Sequence, residues 1–170
     1  AAPGTTTALV GPSGSGKTTV ISLISRFWDV TGGEVKVGDV NVKNIRKSEL
    51  TETVSYVFQD SRLLKTSILE NVRLSKPNAS REDVEQALHK AQCDDILAKL
   101  PDGIDTVIGT RGVYLSGGEQ QRIAIARVML KDAPIIVLDE ATAFADPENE
   151  ALVQKAFEEL STNKTVIMIA

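Results

Sequence analysis

Apolar residues form short uninterrupted blocks along this chain, and segments with a helical pattern of apolar positions separate the blocks. Four blocks have the length of β-strands: Thr5–Val10, Val54–Phe58, Ile135–Leu138 and Thr165–Ile169. The third contains no polar residue, which is typical of a central parallel strand that is covered on both faces. Strands that alternate with helices predict an α/β fold built on a parallel sheet.

Helical segments lie between the strands and after the third one. The predicted helices are Lys17–Phe27, Ser48–Thr51, Ile68–Leu74, one that starts at Ser80, Asp95–Leu100, Gly118 to about Lys131, and one that Asp146-Pro147 begins. Ser80 and Asp83 have the spacing of a capping box, and apolar residues at positions 84, 87, 88 and 91 mark the buried face of that helix. Phe27 and Trp28, at the end of the first helix, are predicted to pack in the core.

A β-hairpin and a block of helices interrupt the alternation. Glu34–Val37 and Val40–Val42 alternate apolar and polar residues on either side of Gly38-Asp39, which predicts the hairpin. Helices predominate between residues 63 and 127. We therefore predict an α/β fold in two parts: a core of residues 1–62 and 128–170, and a helical subdomain of residues 63–127 inserted into it.

Composition narrows the class of protein. The 170 residues suit one domain, and 42% of them are hydrophobic, which is ample for a core. The net charge of −4 indicates no broad basic surface, so no nucleic-acid partner is expected. Cys93 is the only cysteine, which excludes an intramolecular disulfide and favours a reducing compartment. No apolar run is long enough to cross a bilayer.

A glycine-rich segment joins the first strand to the first helix. It consists of Gly11, Pro12, Ser13, Gly14, Ser15, Gly16, Lys17 and Thr18, with the G-x-x-x-x-G-K-[ST] spacing of a loop that binds the phosphates of a nucleoside triphosphate. Glycines let backbone N–H groups surround anionic oxygens, and the following helix directs its positive end at them. Lys17 supplies an ammonium group for the outer phosphates, and the Thr18 hydroxyl can bind Mg²⁺. The alternative is a flexible Gly/Ser loop without a ligand.

Two carboxylates, Asp139 and Glu140, directly follow the third strand. Because side chains alternate along a strand, the two point in different directions from the edge of the sheet. One can hold Mg²⁺ through water while the other activates the water that attacks the γ-phosphate. The alternative is a pair of solvated acids at the end of a strand.

A second phosphate-binding device begins the long helix, at Ser116, Gly117 and Gly118. It combines a hydroxyl group, flexible backbone N–H groups and the N-terminus of a helix. The alternative is an ordinary helix cap. Two such devices in one domain leave two possibilities open: the domain binds two nucleotides, or one nucleotide lies between two copies.

These motifs, taken in order, resemble the nucleotide-binding domain of ATP-binding cassette (ABC) proteins, most closely those of exporter-type transporters. The resemblance covers essentially all 170 residues. Its elements are Gly11–Thr18 as the phosphate loop, Gln59 as the Q-loop glutamine, Leu115–Glu119 as the LSGGE signature, Ile135–Asp139 as Walker B and Glu140 as the catalytic acid. The fold that it implies is the parallel-sheet core of P-loop NTPases with an N-terminal β-hairpin element and an inserted helical subdomain.

The resemblance also implies how the two devices work together. Two such domains pair head to tail, and each ATP lies between the phosphate loop of one copy and the signature of the other. Gly11–Thr18 and Thr19 would bind the phosphates, and Ser116, Gly117 and Gly118 would reach the γ-phosphate of the partner's ATP. Thr18 and Gln59 would bind Mg²⁺, with Asp139 holding it through water. Glu140 would polarise the attacking water, and Asp146 would lie in the loop that touches the opposite subunit.

An ATPase that powers a membrane exporter is the function that this resemblance implies. Its partners would be a second cassette, identical or different, and membrane-spanning domains on whose cytoplasmic face it would lie. Thr106–Gly112 resembles the loop that contacts the membrane domain, although Thr110 stands where the family usually has Glu.

Two family residues have no counterpart in this chain. The switch histidine would come directly after Ala170, and the aromatic residue that stacks on adenine would precede the first strand. The only histidine, His89, is predicted to lie on a helix surface. Because the chain opens on Ala1 and ends in an apolar run, we expect it to be a piece of a longer protein that hydrolyses ATP weakly or not at all by itself.

Three alternatives remain at this stage. The first is an ABC ATPase that acts on DNA or on ribosomes, but the DNA-repair type carries a long coiled coil and no heptad run is present here. The second is a regulatory nucleotide-binding module without turnover, against which Lys17, Asp139 and Glu140 argue. The third is a signalling GTPase, but Asn163-Lys164-Thr165 lacks the Asp that reads guanine.

Overall fold

A computed structural model of the chain describes residues 1–58, 62–109, 113–139 and 147–169. The strands are β1 (Thr6–Leu9), β2 (Lys36–Val37), β3 (Val40–Asn41), β4 (Val54–Val57), β5 (Ile135–Leu138) and β6 (Thr165–Ile169). The helices are α1 (Lys17–Ile24), α2 (Lys47–Thr53), α3 (Ile68–Arg73), α4 (Arg81–Lys90), α5 (Asp94–Lys99), α6 (Gly117–Lys131) and α7 (Pro147–Ser161), with 3₁₀ turns at Val42–Asn44 and Gly103–Asp105.

Four parallel strands form the main sheet in the order β1-β6-β5-β4. In the register of the sheet, Leu9 pairs with Ile169, and Leu138 pairs with both Met168 and Val57. The four strands therefore end at the same edge. The segments that follow β1, β4 and β5, which carry the predicted nucleotide-binding residues, all begin there.

Packed layers cover both faces of this sheet, and β5 supplies side chains to each. Ile136 and Leu138 belong to the larger core, which α3, α4, α6 and α7 complete. Val137 points to the opposite face and joins a smaller core with Ile21 of α1 and Leu50 of α2. The prediction that β5 is a central strand covered on both faces is confirmed.

The hairpin and the block of helices are also present. Strands β2 and β3 pair antiparallel, and α3 to α6 lie between β4 and β5 along the chain. The larger core joins these helices to Val57 of β4 and Ile136 of β5, so the helical block shares its apolar interior with the sheet. The predicted boundaries of the subdomain, residues 63–127, remain a prediction.

Helix α4 begins with the predicted capping box. The Ser80 hydroxyl accepts a hydrogen bond from the Asp83 backbone N–H at 3.1 Å, and the Asp83 carboxylate accepts one from the Ser80 N–H at 3.0 Å. The predicted apolar face of this helix is buried: Val84, Ala87, Leu88 and Ala91. His89 is exposed and contacts the Asp94 carboxylate at 2.7 Å.

The prediction for Phe27 and Trp28 is wrong. Both are exposed, by 58% and 72%, because α1 ends at Ile24, three residues earlier than its pattern predicts. Arg26 then adopts a left-handed backbone conformation with φ of 56°, and its guanidinium donates to the carbonyls of Val42 and Ile45. This turn directs the two aromatic residues away from the core.

An aromatic surface results at the end of β4. The Phe27 ring lies 5.7 Å from that of Tyr56, which in turn stacks on Phe58 at 5.5 Å. Phe58 is also exposed, as is Trp28 beside Phe27. We call Phe27, Trp28, Tyr56 and Phe58 the aromatic surface.

Candidate nucleotide-binding site

The loop between β1 and α1 has the backbone that a phosphate site needs. Gly16 is the N-cap of α1 and has φ of 89°, and Gly14 has φ of 79°, both in the left-handed region that side chains disfavour. Among the residues that the structure describes, no side chain caps this helix N-terminus. The first N–H groups of α1 therefore have no side-chain acceptor in the described part of the chain, and together with the helix dipole they favour an anion at this position.

The Lys17 side chain lies back over the same loop. Its ammonium nitrogen donates to the Gly11 carbonyl at 2.6 Å and to the Pro12 carbonyl at 3.3 Å. Since an ammonium group has three N–H donors, one is left for a phosphate oxygen. The loop thus carries its own positive charge next to the open end of α1.

Two residues that are predicted to hold a metal ion lie near the same edge of the sheet. Thr18 is exposed on the first turn of α1, and Asp139 follows β5, where its N–H donates to the Val57 carbonyl at 3.0 Å. Strand β6 lies between β1 and β5, which puts their backbones about 10 Å apart.

These features fit MgATP. Thr18 would bind the metal directly and Asp139 through water, and oxygen ligands of this kind suit Mg²⁺. Within the described ranges no three His, Cys, Asp or Glu side chains form an all-protein metal site. Three predicted residues, Gln59, Glu140 and Asp146, lie outside the described residues.

The second predicted phosphate site is the N-terminus of α6, which a capping box closes. The Ser116 hydroxyl accepts from the Glu119 N–H at 3.2 Å, and the Glu119 carboxylate accepts from the Ser116 N–H at 2.8 Å. Ser116 and Gly117 are exposed, while Gly118 is buried. The ordinary cap is therefore present, and the Ser116 hydroxyl can still donate its proton to a phosphate oxygen.

Glu119 places a negative charge within this second device. Its carboxylate is largely buried and lies 3.6 Å from the Lys99 ammonium. A carboxylate at a helix N-terminus stabilises the helix, but it also opposes the approach of a second anion.

A buried polar cluster next to Gly118 was not predicted from the sequence. Arg122 is fully buried, donates to both oxygens of Asp95 at 2.6 and 3.0 Å, and donates to the Asn149 side-chain oxygen at 3.1 Å. These hydrogen bonds hold the pKa of the Asp95 carboxyl below its usual range. The sequence feature that could have indicated this cluster is Arg122 itself, a charged residue in a helix whose following residues are almost all apolar.

The lone cysteine is not a catalytic group. Cys93 is fully buried, and burial raises the pKa of its thiol to about 12. A thiol with such a pKa supplies almost no nucleophilic thiolate at neutral pH.

The parallel sheet, the left-handed glycines and the open N-terminus of α1 define the class of this protein as a P-loop nucleotide-binding domain. The family model described as "ABC transporter" matches residues 1–143. The chain belongs to this family, and the recognition made from its motifs is confirmed.

Relatives of the chain carry transporter names. It is 49% identical over 168 residues to the mycobactin import ATP-binding/permease protein IrtA of Mycolicibacterium thermoresistibile, which covers 99% of the chain and 18% of that relative. It is 46% identical to the β-(1→2)glucan export ATP-binding/permease protein NdvA of Rhizobium etli, over 98% of the chain and 28% of the relative. ABC transporter B family member 21 of Arabidopsis thaliana is 44% identical, over 98% of the chain and 13% of the relative.

The chain therefore spans less than a third of the length of each of these relatives. No helix in the part of the chain that the structure describes is both long enough and apolar enough to cross a membrane.

Proposed function

We propose that this chain is the ATP-hydrolysing module of a membrane transporter, and that two copies close head to tail around ATP. One observation carries the proposal: the chain holds two helix N-termini suited to phosphate. That of α1 has no side-chain cap from any described residue, whereas that of α6 exposes Ser116 and Gly117. A sandwich in which each ATP contacts α1 of one copy and α6 of the other uses both.

The residues divide between the two copies in this arrangement. Gly11 to Thr19 bind the phosphates within one copy, and Ser116, Gly117, Gly118 and Asp146 act on the nucleotide of the other. Thr18, Gln59 and, through water, Asp139 would hold Mg²⁺, which would neutralise phosphate charge. Glu140 accepts a proton from the attacking water.

The second partner that we propose is the membrane-spanning part of the transporter, on its cytoplasmic face. The relatives' names pair "ATP-binding" with "permease", which supports such a part. The aromatic surface is a candidate contact, because large exposed apolar groups side by side mark interaction sites. Thr106–Gly109, at the start of the loop that resembles a membrane-domain contact, is the other; residues 110–112 lie outside the described residues.

The motif resemblance favours export as the direction of transport. Import is the second candidate, because relatives that are 48–49% identical to the chain are named for import. In sealed vesicles with the cassette facing outward, export of mycobactin would accumulate it inside on addition of ATP, whereas import would release a preloaded supply. The direction of transport depends on the membrane-spanning part of the transporter.

Comparing ATP turnover by the 170-residue chain and by the full-length protein tests the enzymatic proposal. We expect slow turnover by the chain, because its one imidazole, His89, is tied to Asp94 on an exposed helix surface. We expect turnover by the full-length protein that Glu140→Gln abolishes. Equal rates for the two would contradict the slow-chain expectation, and an unaffected Glu140→Gln variant would contradict the role of Glu140.

Glu119→Gln is expected to strengthen ATP-driven pairing. Glutamine keeps the capping box but removes the charge that would face the partner's γ-phosphate. We expect half-maximal pairing at an ATP concentration about twofold to fivefold lower, with a gain that shrinks as salt rises. Titration of ATP in the Glu140→Gln background at two salt concentrations measures this.

The matched control is Glu85→Gln, which removes the same charge from α4, where Glu85 pairs with Arg81. It should leave the titration unchanged. A shift of the same size in both variants would mean that net charge, rather than the position of Glu119, sets the affinity.

A further inference from the structure

A polar cluster inside the fold joins three helices next to the signature. It consists of Arg122 on α6, Asp95 on α5 and Asn149 on α7, and we call it the Arg122 cluster. The guanidinium donates through two nitrogens to the two Asp95 oxygens at 2.6 and 3.0 Å, and through one of these to Asn149 at 3.1 Å. It also donates to the Gln92 carbonyl.

The geometry of this cluster is restrictive. Arg122 is fully buried, so its charge depends on these partners, and a planar guanidinium fixes the direction of each hydrogen bond. The two side-chain partners lie 27 residues before and 27 residues after Arg122 in the sequence. The cluster therefore fixes the position of α7 relative to α6 and α5.

Helices α6 and α7 also approach each other closely at their first turns. A Cβ atom placed on Gly118 would lie 2.9 Å from the Cβ of Asn149, which is closer than real side chains come. Gly118 and Arg122 are four residues apart and share one face of α6. One face of α6 thus packs against the Asn149 side chain at Gly118 and binds its oxygen through Arg122.

The start of α6, which these contacts hold, is the part that the proposed dimer presents to the other copy. Ser116 and Gly117 begin α6, and Asp146 directly precedes α7, whose first turn contains Asn149. A rigid connection between the first turns of α6 and α7 would keep Ser116 and Gly117 in a fixed position when they meet the partner's nucleotide.

We propose that Arg122 and Asn149 are positioning residues that hold the first turns of α6 and α7 against each other, so that Ser116–Gly118 keep a fixed position when they engage the partner's ATP. This inference rests on the head-to-tail dimer of the proposed function. It assigns Arg122 and Asn149 no contact with the nucleotide.

The test compares two substitutions at one position in the full-length protein, each in the Glu140→Gln background. Asn149→Ala removes the oxygen that accepts from Arg122, whereas Asn149→Asp keeps an acceptor oxygen at the same place. Three quantities are measured: ATP retained after rapid gel filtration, equilibrium binding of a fluorescent ATP analogue, and the melting temperature.

We expect Asn149→Ala to lower the retained ATP at least fivefold while equilibrium binding stays unchanged, since α1 and its loop are untouched. Asn149→Asp should restore retention. A purely structural role would instead lower the melting temperature and reduce binding and retention together, which would overturn the inference. Equal retention by Asn149→Ala and its parent would overturn it as well.

The Glu140→Gln parent shows whether a negative result concerns this inference or the proposed function. If the Glu140→Gln protein binds the ATP analogue but retains no ATP, the head-to-tail dimer fails, and the inference fails with it. If the parent retains ATP and Asn149→Ala retains as much, only the inference fails.

Discussion

Replacing Lys17 by alanine is expected to lower kcat/KM for ATP by about 100-fold or more. The ammonium group lies 2.6 Å from the Gly11 carbonyl and is the positive side chain of the loop, next to the open N-terminus of α1. Removing one preorganised donor from a developing phosphate charge costs about two to three orders of magnitude in rate. A steady-state ATPase assay on the full-length protein measures the loss.

Lys43→Ala is the matched control for this prediction. Lys43 also donates to a backbone carbonyl, that of Val30 at 3.1 Å, but it follows the hairpin rather than the loop. We expect its kcat/KM to stay within about twofold of the parent. Similar losses in the two variants would mean that Lys17 stabilises the fold and does not act on the nucleotide.

Replacing Ser116 by arginine is expected to abolish ATP-driven pairing of two cassettes and to leave ATP binding by each cassette intact. Ser116 is exposed at the start of α6, so the isolated fold accommodates a larger side chain there. In the sandwich the same side chain would occupy the space of the partner's γ-phosphate. Pairing is measured as ATP retained in the Glu140→Gln background, and binding by titration of a fluorescent analogue.

Helix capping supplies the control for this prediction. Ser80 caps α4 with the same capping-box geometry, its hydroxyl accepting at 3.1 Å where that of Ser116 accepts at 3.2 Å. Ser80→Arg therefore loses a comparable cap, worth about 1 kcal/mol, without touching the proposed contact. If both variants pair normally, or both fail, the role of Ser116 across the dimer is contradicted.

Local sequence patterns predicted the strands and the phosphate loop because those features depend on neighbouring residues. The apolar run Ile135–Leu138 needs only burial on two faces, and the glycines at 14 and 16 supply left-handed backbone where the loop turns into α1. The capping box at Ser80 likewise joins residues only three positions apart. Each of these could be recognised without knowledge of the fold.

Features set by distant contacts could not be predicted in this way. The early end of α1 depends on Arg26 donating to carbonyls 16 and 19 residues away, which reversed the expectation for Phe27 and Trp28. The Arg122 cluster combines residues 27 positions apart on either side. A charged residue in an apolar helix signals a buried partner, but the sequence does not identify that partner.

Disulfide trapping tests the central claim, that the signature of one copy meets the phosphate loop of the other, most directly. Ser13→Cys and Ser116→Cys are combined in the full-length Glu140→Gln protein; both positions are exposed, and the native Cys93 is buried with a raised thiol pKa. We predict a covalent dimer under mild oxidation that requires both cysteines and MgATP. ATP binding without any intermolecular product would contradict the head-to-tail arrangement.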